Sequence, residues 1–81
     1  MTREQVYDTI KSNIISVLPE VSESSIAPER TLKDLGADSI DRADISTMSM
    51  ENMDLRIPLV ELGKVSTIGE LVDLLYTHAQ R

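Results

Sequence analysis

The chain has no cysteine, no tryptophan and no phenylalanine, and it contains a single histidine. Without cysteine it can form neither a disulfide framework nor a thiolate metal site. One histidine cannot build a multi-histidine centre, so the sequence predicts no metal ion of the protein's own. The two tyrosines lie near the two ends, and the core must therefore be filled by aliphatic side chains.

Long apolar runs are also missing. No stretch approaches the roughly 20 apolar residues that a membrane-spanning helix requires, and the first ten residues, "MTREQVYDTI", lack the apolar run of a signal peptide. We therefore expect a cytoplasmic, monomeric protein that does not bind membranes. Its 81 residues predict one domain over residues 1–81 with a core of modest size.

Basic residues are scarce in the middle of the chain. The net charge is -6, and residues 34–61 alone carry seven acids and two bases, a net charge of -5. Such a surface repels nucleic acid and attracts a basic protein partner. The alternative is an ordinary solvated helix face.

Helical patterns occupy both ends of the sequence. Thr2 followed by Gln5 forms a capping-box pattern, and Pro19 ends the first helix at about Leu18. The apolar residues of this helix recur at helical spacing; they are Val6, Ile10, Ile14 and Val17. Thr67 and Glu70 offer a second capping box, which opens the last helix. Its apolar face consists of Ile68, Leu71, Val72 and Leu75.

Residues 19–37 form a long connection that is interrupted by proline, serine and glycine. It is too long for an idle loop. We expect three apolar residues to pin it to the core, namely Ile26, Leu32 and Leu35, and we expect one helical turn within "PERTLKDL".

The middle of the chain predicts one long and one short helix. The second helix should run from about Ser39 to Met53, with a buried face and a solvent-exposed stripe. The buried face is expected to contain Ile45, Met48, Ser49 and Met53; the exposed stripe contains Ile40, Asp44, Thr47 and Glu51. A short helix follows Pro58 and closes near Gly63. The predicted fold is all-α, a small bundle of three main helices plus one short helix, with a long loop between helices one and two.

The stretch "GADSIDRAD" places Ser39 at the start of the second helix. Two arrangements are possible there. If Asp38 is the N-cap, Asp41 sits at the third helical position, where an acid interacts well with the helix dipole, and the Ser39 hydroxyl is free. If Ser39 is itself the N-cap, its hydroxyl binds a backbone amide and is structural.

The wider stretch "LKDLGADSID" resembles the attachment motif of acyl carrier proteins, which commonly reads Leu-Gly-Ala/Xaa-Asp-Ser-Leu/Ile-Asp. Residues 35–41 match this pattern position by position, and the resemblance extends over essentially the whole chain. It implies an acyl-carrier-like bundle in which Ser39 receives a covalent 4′-phosphopantetheine arm from coenzyme A. A separate Mg²⁺-dependent phosphopantetheinyl transferase attaches the arm. The arm supplies the thiol that the chain lacks, and the carrier itself catalyses nothing.

The resemblance also implies that partner enzymes read the second helix through basic patches. The candidate partner-binding residues are Asp38, Ile40, Asp41, Arg42, Asp44, Thr47, Met50 and Glu51. Two of them have structural alternatives. Arg42 can be a helix partner for an acid three or four residues away, and Met50 can be peripheral core filling. Ile40 is expected to be exposed and to provide an apolar contact for partners beside Ser39.

Two short stretches, "SIDR" and "IPLVEL", are similar to the standalone donor carriers of polyketide β-branching cassettes. This resemblance implies that the protein delivers acetyl to an HMG-synthase-like enzyme, after a decarboxylating or loading enzyme has supplied the acyl group. The alternatives are a general type II fatty-acid or polyketide acyl carrier protein and an unmodified helical adaptor. An EF-hand is excluded because Ile40 and Arg42 occupy ligand positions. A hydrolase is not supported, because we expect His78 to be an exposed residue at the end of the last helix.

Overall fold

The computed structural model describes residues 1–80, which form four α-helices in the order expected from the sequence. They are α1 (Arg3–Val17), α2 (Ser39–Asn52), α3 (Leu59–Leu62) and α4 (Ile68–Ala79). The predicted all-α bundle of three main helices and one short helix is confirmed. None of the helices within residues 1–80 has the length and apolarity needed to cross a bilayer.

The helix α1 begins at the predicted capping box. The backbone N–H of Gln5 donates to Thr2 Oγ1 at 3.1 Å, and the N–H of Thr2 donates back to Gln5 Oε1 at 2.8 Å. These two bonds satisfy backbone donors that have no partner inside the helix. The helix ends at Val17 with Leu18 as its C-cap, directly before Pro19, as the sequence predicts.

The core is aliphatic throughout, as the absence of phenylalanine and tryptophan requires. The helix α1 packs against both α2 and α4. Buried apolar side chains come from these three helices and from the loops between them: Val6, Ile10, Ile14, Ile26, Leu32, Ala37, Ile45, Ile57, Ile68, Leu71, Val72 and Leu75. The loops therefore complete the core, which lets so short a chain bury a continuous apolar cluster.

The long connection between α1 and α2 is held to the core in the predicted manner. Ile26 and Leu32 are buried, and Leu35 is half-buried and packs on the core. Two 3₁₀ turns interrupt the connection, at Glu23–Ser25 and Lys33–Leu35. The second lies within the expected helical turn, whereas the first has no apolar periodicity and was not predicted.

The same connection is also bound to the start of α4, which sequence periodicity does not reveal. Thr31 and Thr67 form an isolated antiparallel bridge, and the N–H of Gly69 donates to the carbonyl of Pro28 at 2.8 Å. A Cβ atom at position 69 would lie 3.1 Å from that carbonyl oxygen. Glycine is therefore favoured at this position because the two backbones approach so closely.

The buried face of α2 is narrower than the sequence predicts. Ile45 and Ser49 are buried as expected, but Met48 and Met53 are only half-buried. Met48 was expected on this face, but the helical turn of 3.6 residues rotates it away from the line through Ile45 and Ser49, so it is buried only in part. The helix ends as Asp54 adopts a left-handed conformation (φ 54°) that aspartate tolerates better than most residues.

A buried polar contact joins α1 to α2. Asn13 Nδ2 donates to Ser49 Oγ at 2.9 Å and to Asn52 Oδ1 at 3.0 Å, and Ser49 Oγ in turn donates to the carbonyl of Ile45 at 2.8 Å. From the sequence, Ser49 lies where a larger apolar residue would pack better. The structure instead uses its hydroxyl to satisfy Asn13, since buried polar groups require partners.

The short helix α3 is linked to α4 by a side-chain pair. His78 Nε2 lies 3.4 Å from Glu61 Oε1, and the His78 side chain is only 13% exposed. The expectation of an exposed His78 was wrong because α3 covers this part of α4. Two other predictions for this region are confirmed: α3 ends with Gly63 as its C-cap, and α4 begins at the Thr67 capping box.

Candidate functional site

The three residues before Asp38 shape the loop that leads to Ser39. Leu35 packs on the core, Gly36 has a positive φ of 94°, and Ala37 is buried. The left-handed conformation at position 36 favours glycine, because a Cβ atom makes it strained. The small side chain at position 37 lets the backbone lie against the core. The loop geometry therefore explains this part of the motif.

Asp38 is the N-cap of α2, so of the two arrangements that the sequence left open, the structure adopts the first. The N–H of Asp41 donates to Asp38 Oδ1 at 2.8 Å, and the N–H of Asp38 donates to Asp41 Oδ2 at 3.2 Å. Both carboxylates thus form a capping box. Ser39 is the first residue of the helix and is exposed. Its hydroxyl is not needed for the cap and is accessible from solvent.

The position of Ser39 suits a covalently attached phosphate group. The first turn of a 14-residue helix presents backbone N–H groups and the positive end of the helix dipole. This environment stabilises a nearby anion by about 0.3–1 kcal/mol at an exposed position. The carboxylates of Asp38 and Asp41 already occupy part of the turn and oppose a second anion. At the exposed Ser39, a phosphodiester therefore has only a small electrostatic gain.

Arg42 lies against the same loop. Its Nη1 donates to the carbonyl of Ala37 at 3.1 Å, and the residue is half-buried. The guanidinium is therefore bonded to a backbone carbonyl instead of to a carboxylate one turn away, so the alternative of an acidic helix partner was wrong. Arg42 folds back along α2 toward the residues that precede Ser39.

The remaining candidate contact residues lie along α2 with different exposure. Five side chains are exposed: Asp38, Ile40, Asp44, Thr47 and Glu51. Three are half-buried: Asp41, Arg42 and Met50. Met50 packs against the core, as its structural alternative predicts, while the rest of its surface faces a groove. The exposed stripe predicted from the sequence is confirmed for all four of its members.

A cleft of about 420 Å³ lies between α2 and α3, on the side of Arg42. Arg42 and Ser46 follow Ser39 by three and seven residues, so the three share one face of α2. The lining of this α2–α3 cleft is mixed, with hydroxyl groups beside aliphatic side chains; it includes Thr31, Arg42, Ser46, Leu62, Val65 and Leu71.

The sequence analysis did not predict the exposure of two apolar residues. Leu59 and Val60 are the first residues of α3, and they are 79% and 68% exposed. The helical pattern indicated a short helix after Pro58 but not which of its faces is buried. A helix of four residues is too short for apolar periodicity to assign a face.

These features define a carrier domain: a small helical bundle that presents one accessible hydroxyl at the start of an acidic helix. The profile of the phosphopantetheine attachment site family matches residues 8–75 of the chain. The protein belongs to this family, and it is an acyl carrier protein whose cofactor is covalent 4′-phosphopantetheine.

Several relatives cover nearly the whole chain. It is 44% identical to the polyketide biosynthesis acyl-carrier-protein AcpK of Bacillus subtilis, over 99% of this chain and 98% of that protein. It is 35% identical to an acyl carrier protein of Cyanidioschyzon merolae, over 96% and 86%. A solved structure of the curacin biosynthetic pathway HMG synthase in complex with acetyl donor-ACP contains a similar chain. That match has a TM-score of 0.87 and 43% identity, over 95% of this chain and 99% of the other.

Proposed function

We propose that Ser39 is the residue that carries the 4′-phosphopantetheine arm. The observation that carries this proposal is the exposed position of Ser39 at the first turn of α2, with Asp38 providing the cap. A phosphopantetheinyl transferase would bond Ser39 Oγ to the pantetheine-bearing phosphorus of coenzyme A. The pyrophosphate bond breaks, the nucleotide leaves with the other phosphate, and the hydroxyl proton passes to a base on the transferase.

The arm gives the protein a thiol, which its cysteine-free chain lacks. Acyl groups bound to that thiol as thioesters are carried between enzymes, and those enzymes perform every bond-making step. The chain's own contribution is to hold the arm on a rigid helix and to present a surface that the enzymes recognise. We therefore assign it a non-catalytic role.

Docking is assigned to the exposed stripe of α2. Asp44, Thr47 and Glu51 point to solvent on the same helix as Ser39, and residues 34–61 carry a net charge of -5. A partner with arginine or lysine around its active-site entrance is attracted to this surface, which raises the association rate. Ile40, which is 70% exposed beside Ser39, adds an apolar contact close to the arm.

Within the family we assign the protein the role of acetyl donor to an HMG-synthase-like enzyme in polyketide β-branching. Two comparisons support this role: the identity of 43% to an acetyl donor-ACP in complex with HMG synthase, and that of 44% to a polyketide acyl-carrier-protein. Similarity to the acyl carrier proteins of Cyanidioschyzon merolae and Thermotoga maritima is lower, at 35% each. A decarboxylating or loading enzyme supplies the acetyl group.

The α2–α3 cleft supports a short cargo. A long fatty-acyl chain would require a predominantly apolar pocket. Here Thr31, Ser46 and Arg42 place hydroxyl groups and a guanidinium beside the leucines, and burying hydrocarbon against these polar groups would cost their hydration. An acetyl group has almost no apolar surface to bury, so the polar lining of the cleft does not disfavour it.

The donor role is tested by acetyl transfer. The modified carrier is loaded with acetyl and mixed with an HMG-synthase-like enzyme and a β-ketoacyl group on a second carrier, and the loss of acetyl from the arm is followed by mass spectrometry. We expect a kcat/KM at least about tenfold above that of a general fatty-acid carrier in the same assay. If a fatty-acid ketosynthase accepts the loaded carrier and the HMG-synthase-like enzyme does not, the protein is a general type II carrier.

A further inference from the structure

The α2–α3 cleft carries positive charge in a chain that is otherwise strongly acidic. Within residues 1–80, its lining includes two basic residues, Lys33 and Arg42, and no aspartate or glutamate. The chain as a whole has a net charge of -6. A cavity whose lining has the opposite sign to the rest of the molecule attracts an anion and repels a cation. The electrostatics of the cleft therefore favour a negatively charged ligand.

The acidic residues that adjoin the cleft lining in the sequence already have hydrogen-bonding partners. Backbone N–H groups donate to three of these carboxylates, and His78 contacts the fourth; the residues are Asp34, Asp41, Glu70 and Glu61. The ion pairs of residues 1–80 involve neither Lys33 nor Arg42. Both bases of the cleft are therefore available to a ligand.

The cleft offers hydrogen-bond donors as well as charge. Arg42 uses Nη1 to bind the carbonyl of Ala37, and its guanidinium has further N–H donors in a planar arrangement that matches a carboxylate. Thr31 Oγ1 accepts from the N–H of Asp34 at 3.0 Å, which leaves its own O–H as a donor. Ser46 adds a second hydroxyl to the lining. A carboxylate in the cleft can thus be bound through charge and through hydrogen bonds.

The cleft lies close to the proposed attachment point of the arm. Arg42 and Ser46 share a face of α2 with Ser39 and lie about 4.5 and 10.5 Å from it along the helix axis. The phosphopantetheine arm is a flexible chain longer than these distances, so it can fold back and place its acyl group in the cleft. A pair of exposed charges is weak by itself. A tether raises the effective concentration of the ligand to the millimolar range and so compensates for this weakness.

We propose that the α2–α3 cleft binds the free carboxylate of a short carboxyacyl group on the arm, with Arg42 and Lys33 as its positively charged partners. This inference rests on the attachment of the arm at Ser39 proposed above. The polar lining disfavours a long hydrocarbon chain, and an acetyl group has no charge to which the two bases can bind. A short acyl group that ends in a carboxylate satisfies both conditions.

Such a site makes the position of the arm depend on its cargo. The carboxyacyl form is held along α2 in the cleft. Decarboxylation by a partner enzyme breaks the bond to the carboxylate carbon, releases CO₂, and places a proton on the remaining methylene carbon, so that the arm then carries acetyl. The cleft no longer binds this product, and the arm is free to extend into the active site of the HMG-synthase-like enzyme.

The test compares two acyl groups of nearly equal shape and different charge. The transferase loads the ¹⁵N-labelled carrier from malonyl-coenzyme A or from acetoacetyl-coenzyme A, and intact mass verifies each product. Malonyl ends in a carboxylate, whereas acetoacetyl has a methyl group in place of one carboxylate oxygen. Proton–nitrogen correlation spectra at about pH 7 then report the backbone amides and the Arg42 Nε–H. We expect malonyl to shift the signals of Arg42, Ser46 and Val65 relative to acetoacetyl, and added salt to reduce this difference.

Two matched variants assign the effect to the bases of the cleft. Lys33→Gln with Arg42→Gln removes both positive charges from the lining, and we expect it to reduce the malonyl-specific shifts at Ser46 and Val65 at least about threefold. Arg56→Gln with Lys64→Gln removes the same charge from exposed residues outside the lining and should leave the shifts unchanged. Circular dichroism verifies that each variant is helical. If the first variant does not fold, Lys33→Gln alone replaces it, since this side chain is exposed.

The outcomes separate the cleft from the carrier function. If the unsubstituted protein carries malonyl but its spectrum matches that of the acetoacetyl form, the cleft does not bind the carboxylate, and the arm at Ser39 stands. The same conclusion follows if the malonyl-specific shifts persist in Lys33→Gln with Arg42→Gln. If the transferase loads neither acyl group, the attachment of the arm fails and this inference with it.

Discussion

The Arg42 guanidinium donates a hydrogen bond through Nη1 to the carbonyl oxygen of Ala37 at 3.1 Å. The two residues lie on opposite sides of Ser39 in the sequence, so this bond ties the first turns of α2 to the loop that precedes it. Gly36, with its positive φ, starts that loop's last bend. The proposed attachment point, Ser39, is therefore next to a loop held by Arg42, a side chain that the sequence suggested for partner contact.

Replacement of Arg42 should reveal this structural role. Arg42→Gln removes the guanidinium and leaves the Ala37 carbonyl to water or a weaker partner, so we expect the free energy of unfolding to fall by about 1 kcal/mol. Urea denaturation followed by circular dichroism measures the change. The matched control is Arg56→Gln, at an exposed arginine in the same acidic segment, which should stay within about 0.5 kcal/mol. Equal effects of the two substitutions would mean that the Ala37 bond does not stabilise the fold.

The Asn13–Ser49 contact makes a second prediction about stability. Ser49→Ala removes a buried hydroxyl that accepts from Asn13 Nδ2 at 2.9 Å. An unsatisfied buried donor costs about 1–3 kcal/mol, and we expect a loss in that range in urea denaturation. The double variant Asn13→Leu with Ser49→Ala should lose less than the sum of its single substitutions, because it leaves no buried polar group unpaired at the contact; Asn52, which also loses a donor, is exposed to water. Ser12→Ala, on the exposed side of α1, is the control.

Additive losses in that double variant would contradict the account of this contact. They would show that Asn13 and Ser49 act independently and that their hydrogen bond contributes nothing of its own.

The capping box of α4 makes the stability depend on pH. The backbone N–H groups of Thr67 and Ser66 donate to Glu70 Oε1 at 2.9 and 3.0 Å. These bonds, that of Thr67 first, lower the pKa of Glu70 below its usual value. A lowered pKa in the folded state stabilises the protein above the unfolded-state pKa, and this stabilisation is lost as the pH falls through the folded-state pKa.

Glu70→Gln tests this dependence. The glutamine side chain keeps an oxygen acceptor but has no charge, so the variant should be less stable than the unsubstituted protein at about pH 7. The difference should shrink as the pH is lowered through the acid range, because the Glu70 carboxylate becomes protonated. Urea denaturation at a series of pH values measures it. A difference that stays constant from neutral to acid pH would rule out ionisation of Glu70 as its cause.

The fold was predictable from the sequence to the extent that local signals determine it. The two Thr capping boxes, Pro19 and the apolar spacing of α1 and α4 each act within a few residues. The long connection was only partly predictable, because its bridge from Thr31 to Thr67 joins residues far apart in the sequence. No periodicity reports such a pairing, and the role of Gly69 becomes apparent only in three dimensions.

In the candidate site, too, local sequence signals predicted some features, whereas others depend on three-dimensional contacts. The choice between Asp38 and Ser39 as the N-cap stayed open in the sequence because both are good capping residues, and the hydrogen bonds of Asp38 and Asp41 decide it. The sequence predicted that Arg42 contacts either an acidic residue of its own helix or a partner protein. Its charge alone does not reveal that the carbonyl of Ala37 lies within hydrogen-bonding distance. Leu59 looked like any apolar residue of a short helix, and its exposure depends on how α3 packs.

The central claim is that Ser39 alone carries the arm, and the intact mass of the protein tests it most directly. The unmodified protein and Ser39→Ala are each incubated with coenzyme A, Mg²⁺ and a broad-specificity phosphopantetheinyl transferase. Because Asp38 provides the cap, Ser39→Ala should remain helical by circular dichroism. We predict one phosphopantetheine increment on the unsubstituted protein and none on Ser39→Ala. An increment on folded Ser39→Ala, or none on the unsubstituted protein, would contradict the account.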